Sequence, residues 1–172
     1  MATMKVGAEQ AQDTEGVKTT IVPKEIDPNQ IIIVKNGFHG QLVYESPRTH
    51  ELFVWNALGD EQEMELRELR NVKSASKAFF ENNWFVFDEE YEWVIPYLGL
   101  SRYYENAVDL EKIDEVLNKP TKQVKEIVEK MSKGQKNSLR YRVLDLMKDG
   151  KIDSLKTVTM LEEVLGVSLT EK

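Results

Sequence analysis

The stretch IIIVKNGFHGQLVYESPRTHELFVWNALGDEQEMEL, residues 31–66, decides the fold. Ile31 to Val34 is a short β-branched run, which suits a pleated, half-buried strand. Asn36-Gly37 follows, and both residues tolerate the positive φ of a tight hairpin. QLVYE reads as a second strand, SPRTH as a turn and ELFVW as a third strand. After NALGD, Gln62, Met64 and Leu66 alternate with Glu63 and Glu65, the period of a fourth strand. The expectation is a small antiparallel meander curled toward a partial barrel, with Gly40 marking a bulge or bend.

Downstream of this stretch the period changes. Leu66, Leu69, Val72, Ala75 or Ser76, and Phe79 recur at steps of three and four, so a helix is expected there. Asn82-Asn83 supplies its end, since Asn adopts the left-handed conformation readily. WFVFD then reads as a short buried strand, and Asp88 as the cap of a short helix through EEYEWVI. The last third is helical. Asp109 caps LEKIDEVL, Thr121 after Pro120 opens KQVKEIVEKM, Ser132 or Ser138 caps the next helix, and Asp153 or Ser154 caps LKTVTMLEEVL before Gly166. The fold class is α+β: a β-meander followed by a compact bundle of short helices.

Upstream, residues 1–28 are polar, lack either period, and end in the proline-bearing IVPKEIDPN. They read as an extended arm whose closely grouped apolar anchors are Val17, Ile21, Val22 and Ile26. So few apolar side chains cannot offset an ordering cost of about 1–2 kcal/mol per residue, so the arm is expected to pack on other chains. Three parts result: the arm at 1–28, the meander with its covering helix at 29–108, and a helical bundle at 109–172.

Composition narrows the function. The 172 residues include no cysteine, which removes disulfides, thiolate metal sites and a thiol nucleophile. No run has the apolar length of a signal or membrane segment, so residence in a cytoplasm is expected. Charge is uneven: residues 59–110 carry 5 bases and 12 acids, whereas residues 111–172 carry 13 and 11. An acidic middle repels phosphate, so a long nucleic-acid footprint is not expected. His39 and His50 stand in or beside turns without a metal-spaced partner, and no serine sits on a G-x-S-x-G elbow. NGFHG lacks the lysine and helix start of a phosphate loop. No metal, cofactor or catalytic residues are therefore assigned.

Two stretches remain. FFENNWFVFDEEYEWVIPYLG, residues 79–99, holds eight of the fifteen aromatics with five acids and no base. Base-stacking surfaces set aromatics among cations, so Phe79, Phe85, Phe87 and Trp93 read instead as the seam where helices close over the meander, and Trp84, Phe85, Phe87 and Trp93 are expected to be mostly buried. SKGQKNSLRYR carries Lys133, Lys136, Arg140 and Arg142 with no acid among them. With the preceding helix it has a helix-turn-helix outline; a basic face for an acidic neighbouring subunit is the other reading.

KNGFHGQLVYESPRTHELFVW, GDEQEMELRELRNVKSASKAFFENNWFVFD, KGQKNSLRYR and KIDSLKTVTMLEEVLGV together resemble small proteins of tailed bacteriophages of Gram-positive hosts. The resemblance implies a non-enzymatic virion subunit, such as a capsid, neck or tail accessory protein, with host cytoplasm as its place during assembly. Its partners would be other virion proteins or copies of itself, with neither membrane nor nucleic acid. The alternative is a cytoplasmic phage regulator that binds DNA or a host protein through its C-terminal helices.

Overall fold

A computed structural model describes residues 20–170 and shows an α+β chain with two hydrophobic cores. The first core is enclosed by strands β1 (Ile31–Asn36), β2 (Leu42–Glu45), β3 (Leu52–Trp55), β4 (Glu61–Glu65) and β5 (Phe85–Val86). Helices α1 (Leu66–Ala75), α2 (Ala78–Glu81), α3 (Val94–Tyr97) and α4 (Ser101–Tyr104) complete that part. The second core is helical: a 3₁₀ turn (Leu110–Lys112), then α5 (Ile113–Leu117), α6 (Thr121–Lys130), α7 (Lys133–Lys148) and α8 (Leu155–Leu165).

All strand pairing is antiparallel, as expected, but the connectivity corrects the meander. β1 lies between β4 and β5, while β2 and β3 form a separate hairpin. Asn36-Gly37 is therefore not a hairpin turn. Asn36 is buried, its amide donating to the Gly40 carbonyl at 2.8 Å and the Ala57 carbonyl at 2.9 Å. Its Oδ1 accepts from the Phe38 N–H at 2.7 Å, so one side chain organises the whole loop. Gly37 is needed for close approach: a Cβ there would overlap the Asn83 carbonyl and Val86. That approach lets the Gly37 N–H donate to the Trp84 carbonyl at 2.7 Å and seats β5 beside β1.

Strand alternation fills the first core from both sheets. Ile32, Val34, Leu42, Tyr44, Phe53, Trp55 and Met64 point inward, and Ile31, Val43 and Leu52 point outward. Trp55 Nε1 donates to the Val34 carbonyl and Gln62 Nε2 to the Val54 carbonyl, both at 2.8 Å, tying hairpin to sheet. Phe85 sits at the centre, with ring centroids of Phe79, Trp55 and Phe80 at 4.9, 5.3 and 5.6 Å. Phe87 and Trp93 are buried as expected, but Trp84 is corrected to half-buried because it lines an open groove.

The helix expected from Leu66 through Phe79 breaks at Ser76, whose φ of −144° leaves the helical region. Ser74 Oγ bonds back to the Arg70 carbonyl at 3.1 Å, a local competition that bends helices. Asn83 does adopt the left-handed conformation, at φ 55°. Asp88 does not cap a helix; its carboxylate meets Lys35 Nζ at 3.1 Å, and the next helix starts only at Val94. Asp109, Ser132 and Ser154 each accept a backbone N–H as caps, and Gly166 ends α8 at φ 66°.

The arm expectation is also corrected in part. Val22 and Ile26 pack against the first core of their own chain, while Ile21 is 83% exposed. The reason lies in the backbone just beyond: the Pro28 and Gln30 carbonyls accept the Arg67 and Leu66 N–H groups at 2.8 and 2.9 Å. These bonds satisfy the open start of α1 and bring residues 20–30 onto the body. Val17 lies outside the described residues.

Candidate functional site: a basic groove beside α7

Where α7 begins, the two cores meet. Ser132 caps the helix by accepting the Gln135 N–H at 3.1 Å. In the first turn Gly134 rests directly on Asn82, and a Cβ at Gly134 would overlap the Asn82 backbone and Cβ. Gln135, buried, reaches the connector between the cores: its Nε2 donates to the Val108 carbonyl at 2.6 Å and its Oε1 accepts the Val108 N–H at 3.2 Å. The seam between the cores is thus polar and close-packed.

On one side of this seam is an open groove of about 690 Å³. Lys133, Lys136, Asn137 and Arg140 line one wall, the spacing that places residues on a single helix face. Asn82 and Trp84 form the facing wall, and Leu165 and Val167 at the end of α8 give an apolar margin. Lys136 Nζ donates to the Glu129 carbonyl at 2.9 Å, and the Arg140 guanidinium lies 5.7 Å from the Tyr141 ring centroid. Neither these two nor Lys133 has a carboxylate within 4 Å among the described residues. Trp84 Nε1 and Arg140 Nε are covered and lack an acceptor. An unmatched buried donor costs about 1–3 kcal/mol. The groove lining carries three cations and no carboxylate, and Trp84 adds an aromatic side chain to it.

Three of the four expected cations therefore come together, and Arg142 does not. It faces another depression, with His39, Gly40, Asn56, Leu58 and Glu111. Two residues past Arg140, it is rotated about 200° around the helix. Sequence reasoning also missed His39 as a structural contact. Its Nε2 donates to Asp145 Oδ2 at 2.8 Å, its ring stacks on Tyr141 at 5.7 Å, and its backbone N–H donates to buried Ser138 Oγ at 3.2 Å. The hydrogen bond from His39 holds the Asp145 carboxyl below its usual range. Ser138 Oγ has no hydrogen bond to the imidazole, whose Nε2 is taken by Asp145, so the Ser-to-His contact of a nucleophilic triad is not formed here. Only the 106-residue separation hid the His39–Asp145 pair.

Among the described residues no group of three or more His, Asp or Glu converges as a metal site, and no helix is long and apolar enough to cross a membrane. No protein-family model matches this chain, and no match was found among curated proteins or solved structures.

Proposed function

We propose that this chain is a non-enzymatic structural subunit of a tailed-phage virion, a capsid, neck or tail accessory protein, that docks on neighbouring chains. The phage likeness of the sequence supports the setting, and the groove beside α7 supports the mode. The single observation that carries it is the convergence of Lys133, Lys136 and Arg140, none with a carboxylate partner among the described residues, beside Trp84, Leu165 and Val167. A surface of cations and apolar margin suits an acidic neighbouring chain, steering the encounter by charge and holding it by area. Ile21, exposed at the edge of the described residues, and Val17 before it remain the arm's proposed anchors on neighbours.

Phage carrying K133E/R140E tests this. Purified virions should contain the variant at least about tenfold below the wild-type level by quantitative mass spectrometry, with the free protein still folded; a tenfold change needs only about 1.4 kcal/mol. Wild-type incorporation of the folded variant would overturn the reading. A regulator that binds DNA through the same helices is favoured by one feature, the cations at the start of α7 after the short α6–α7 link. In that case duplex affinity would fall with salt with a logarithmic slope of about −3 for three phosphate contacts, and the chain would be absent from virions.

A further inference from the structure

Neighbouring residues of the seam line different surfaces: Asn82, Trp84 and Gly134 line the basic groove, and Asn83 and Gln135 a second cleft of about 370 Å³. The two share no lining residue. The second cleft is opposite in character: five carboxylates, among them Asp88, Glu92 and Glu111, stand against Lys35 and Lys112. Lys35 is already engaged, lying 3.1 Å from Asp88, 3.6 Å from Glu61 and 3.9 Å from Glu111.

The lining charges are complementary. The cleft carries five carboxylates to two lysines, whereas the groove carries Lys133, Lys136 and Arg140 and no carboxylate.

We propose that the basic groove of one copy receives the acidic lip of a second copy, residues 88–92, in a head-to-tail contact. This names the partner of the docking site above and rests on that reading. Because donor and receiver surfaces share no residue, each bound copy leaves a groove and a lip open. Such a heterologous contact repeats, closing as a ring or extending as a filament. Charge supplies the steering, so the contact weakens as salt screens it.

Two charge reversals test it: K133E/R140E in the groove, and E90K/E92K on the lip, where Glu90 is exposed and Glu92 half-buried. Light scattering across a concentration series should show wild-type self-association whose apparent Kd weakens about tenfold or more between about 50 and about 500 mM salt. Each variant alone should be monomeric with an unchanged thermal melt, and an equimolar mixture should associate again. A monomeric wild type, a variant that associates like wild type, or a mixture that stays monomeric would each overturn the proposal. Loss of K133E/R140E from virions with a monomeric wild type would retain the docking site but give it a different acidic partner. Normal incorporation of a monomeric K133E/R140E would instead defeat the docking reading.

Discussion

Phe85 shows how much one residue carries. It is fully buried, touches three aromatic rings, and belongs to the strand that pairs with Asn36 and Lys35. Phe85→Ala should cost about 3–5 kcal/mol, read as a lower midpoint in denaturant melts, because rigid rings on three sides leave a cavity that cannot collapse. Glu68 is the other revealing position. Burial alone would raise its pKa, but hydrogen bonds from Ser46, Tyr44 and Asn71 outweigh that and hold the carboxyl below its usual range. A carboxyl with a depressed folded pKa contributes stability above the unfolded value, about 4.3 for glutamate, and loses it as pH falls through the folded value. Glu68→Gln should therefore flatten the acid limb of the stability profile below about pH 4.3, measured by thermal melts at stepped pH. An unchanged acid limb would place the sensitivity elsewhere. In sequence Glu68 is one of four acids at a strand-to-helix junction and cannot be told from its solvated neighbours. Only folding brings the Tyr44 hydroxyl to 2.8 Å from it.

At the scale of elements, α7 explains why its spacing was only half readable. Its run of cations was legible in the sequence, but Arg142 was grouped with Lys133, Lys136 and Arg140, and helix geometry turns it to another side. Its other residues are committed elsewhere: Leu139, Val143 and Leu146 enter the second core, Gly134 and Gln135 the seam, and Tyr141 and Asp145 the His39 contact. Gly134 is the sensitive position, because a methyl group must displace the Asn82 backbone rather than a flexible side chain. Gly134→Ala should destabilise by about 1–3 kcal/mol despite Ala's better helix propensity. A propensity-driven gain in melting temperature would show that the seam yields. By contrast, Ser132→Ala should cost about 1 kcal/mol through loss of the cap alone.

For the whole molecule, the described end of the arm belongs to the body. Val22, Ile26 and the carbonyls of Pro28 and Gln30 belong to the body. On the proposed docking role, deleting residues 1–20 should leave a folded, soluble body that no longer incorporates stably into particles. Deleting residues 1–29 should also lower the melting temperature, since it removes the Val22 and Ile26 contacts and the partner of the Arg67 N–H. Equal melting temperatures for the two truncations would mean that residues 21–29 contribute nothing to the body.

The sequence by itself determined the period-two strands from Ile31 to Glu65, the helical last third, most of its caps, and the burial of Phe85, Phe87 and Trp93. Each of these follows from side-chain periodicity or from the chemistry of one helix end, and so is encoded within a few neighbouring residues. The tertiary structure alone decided that β1 pairs with β4 and β5, that Asn36-Gly37 is a crossing rather than a hairpin, and that Trp84 faces Lys133 across a groove. Those outcomes depend on contacts between segments tens of residues apart. The choice among such contacts rests on close fit, as where Gly37 meets Asn83 and Gly134 meets Asn82, and no local pattern records which surface each glycine will meet.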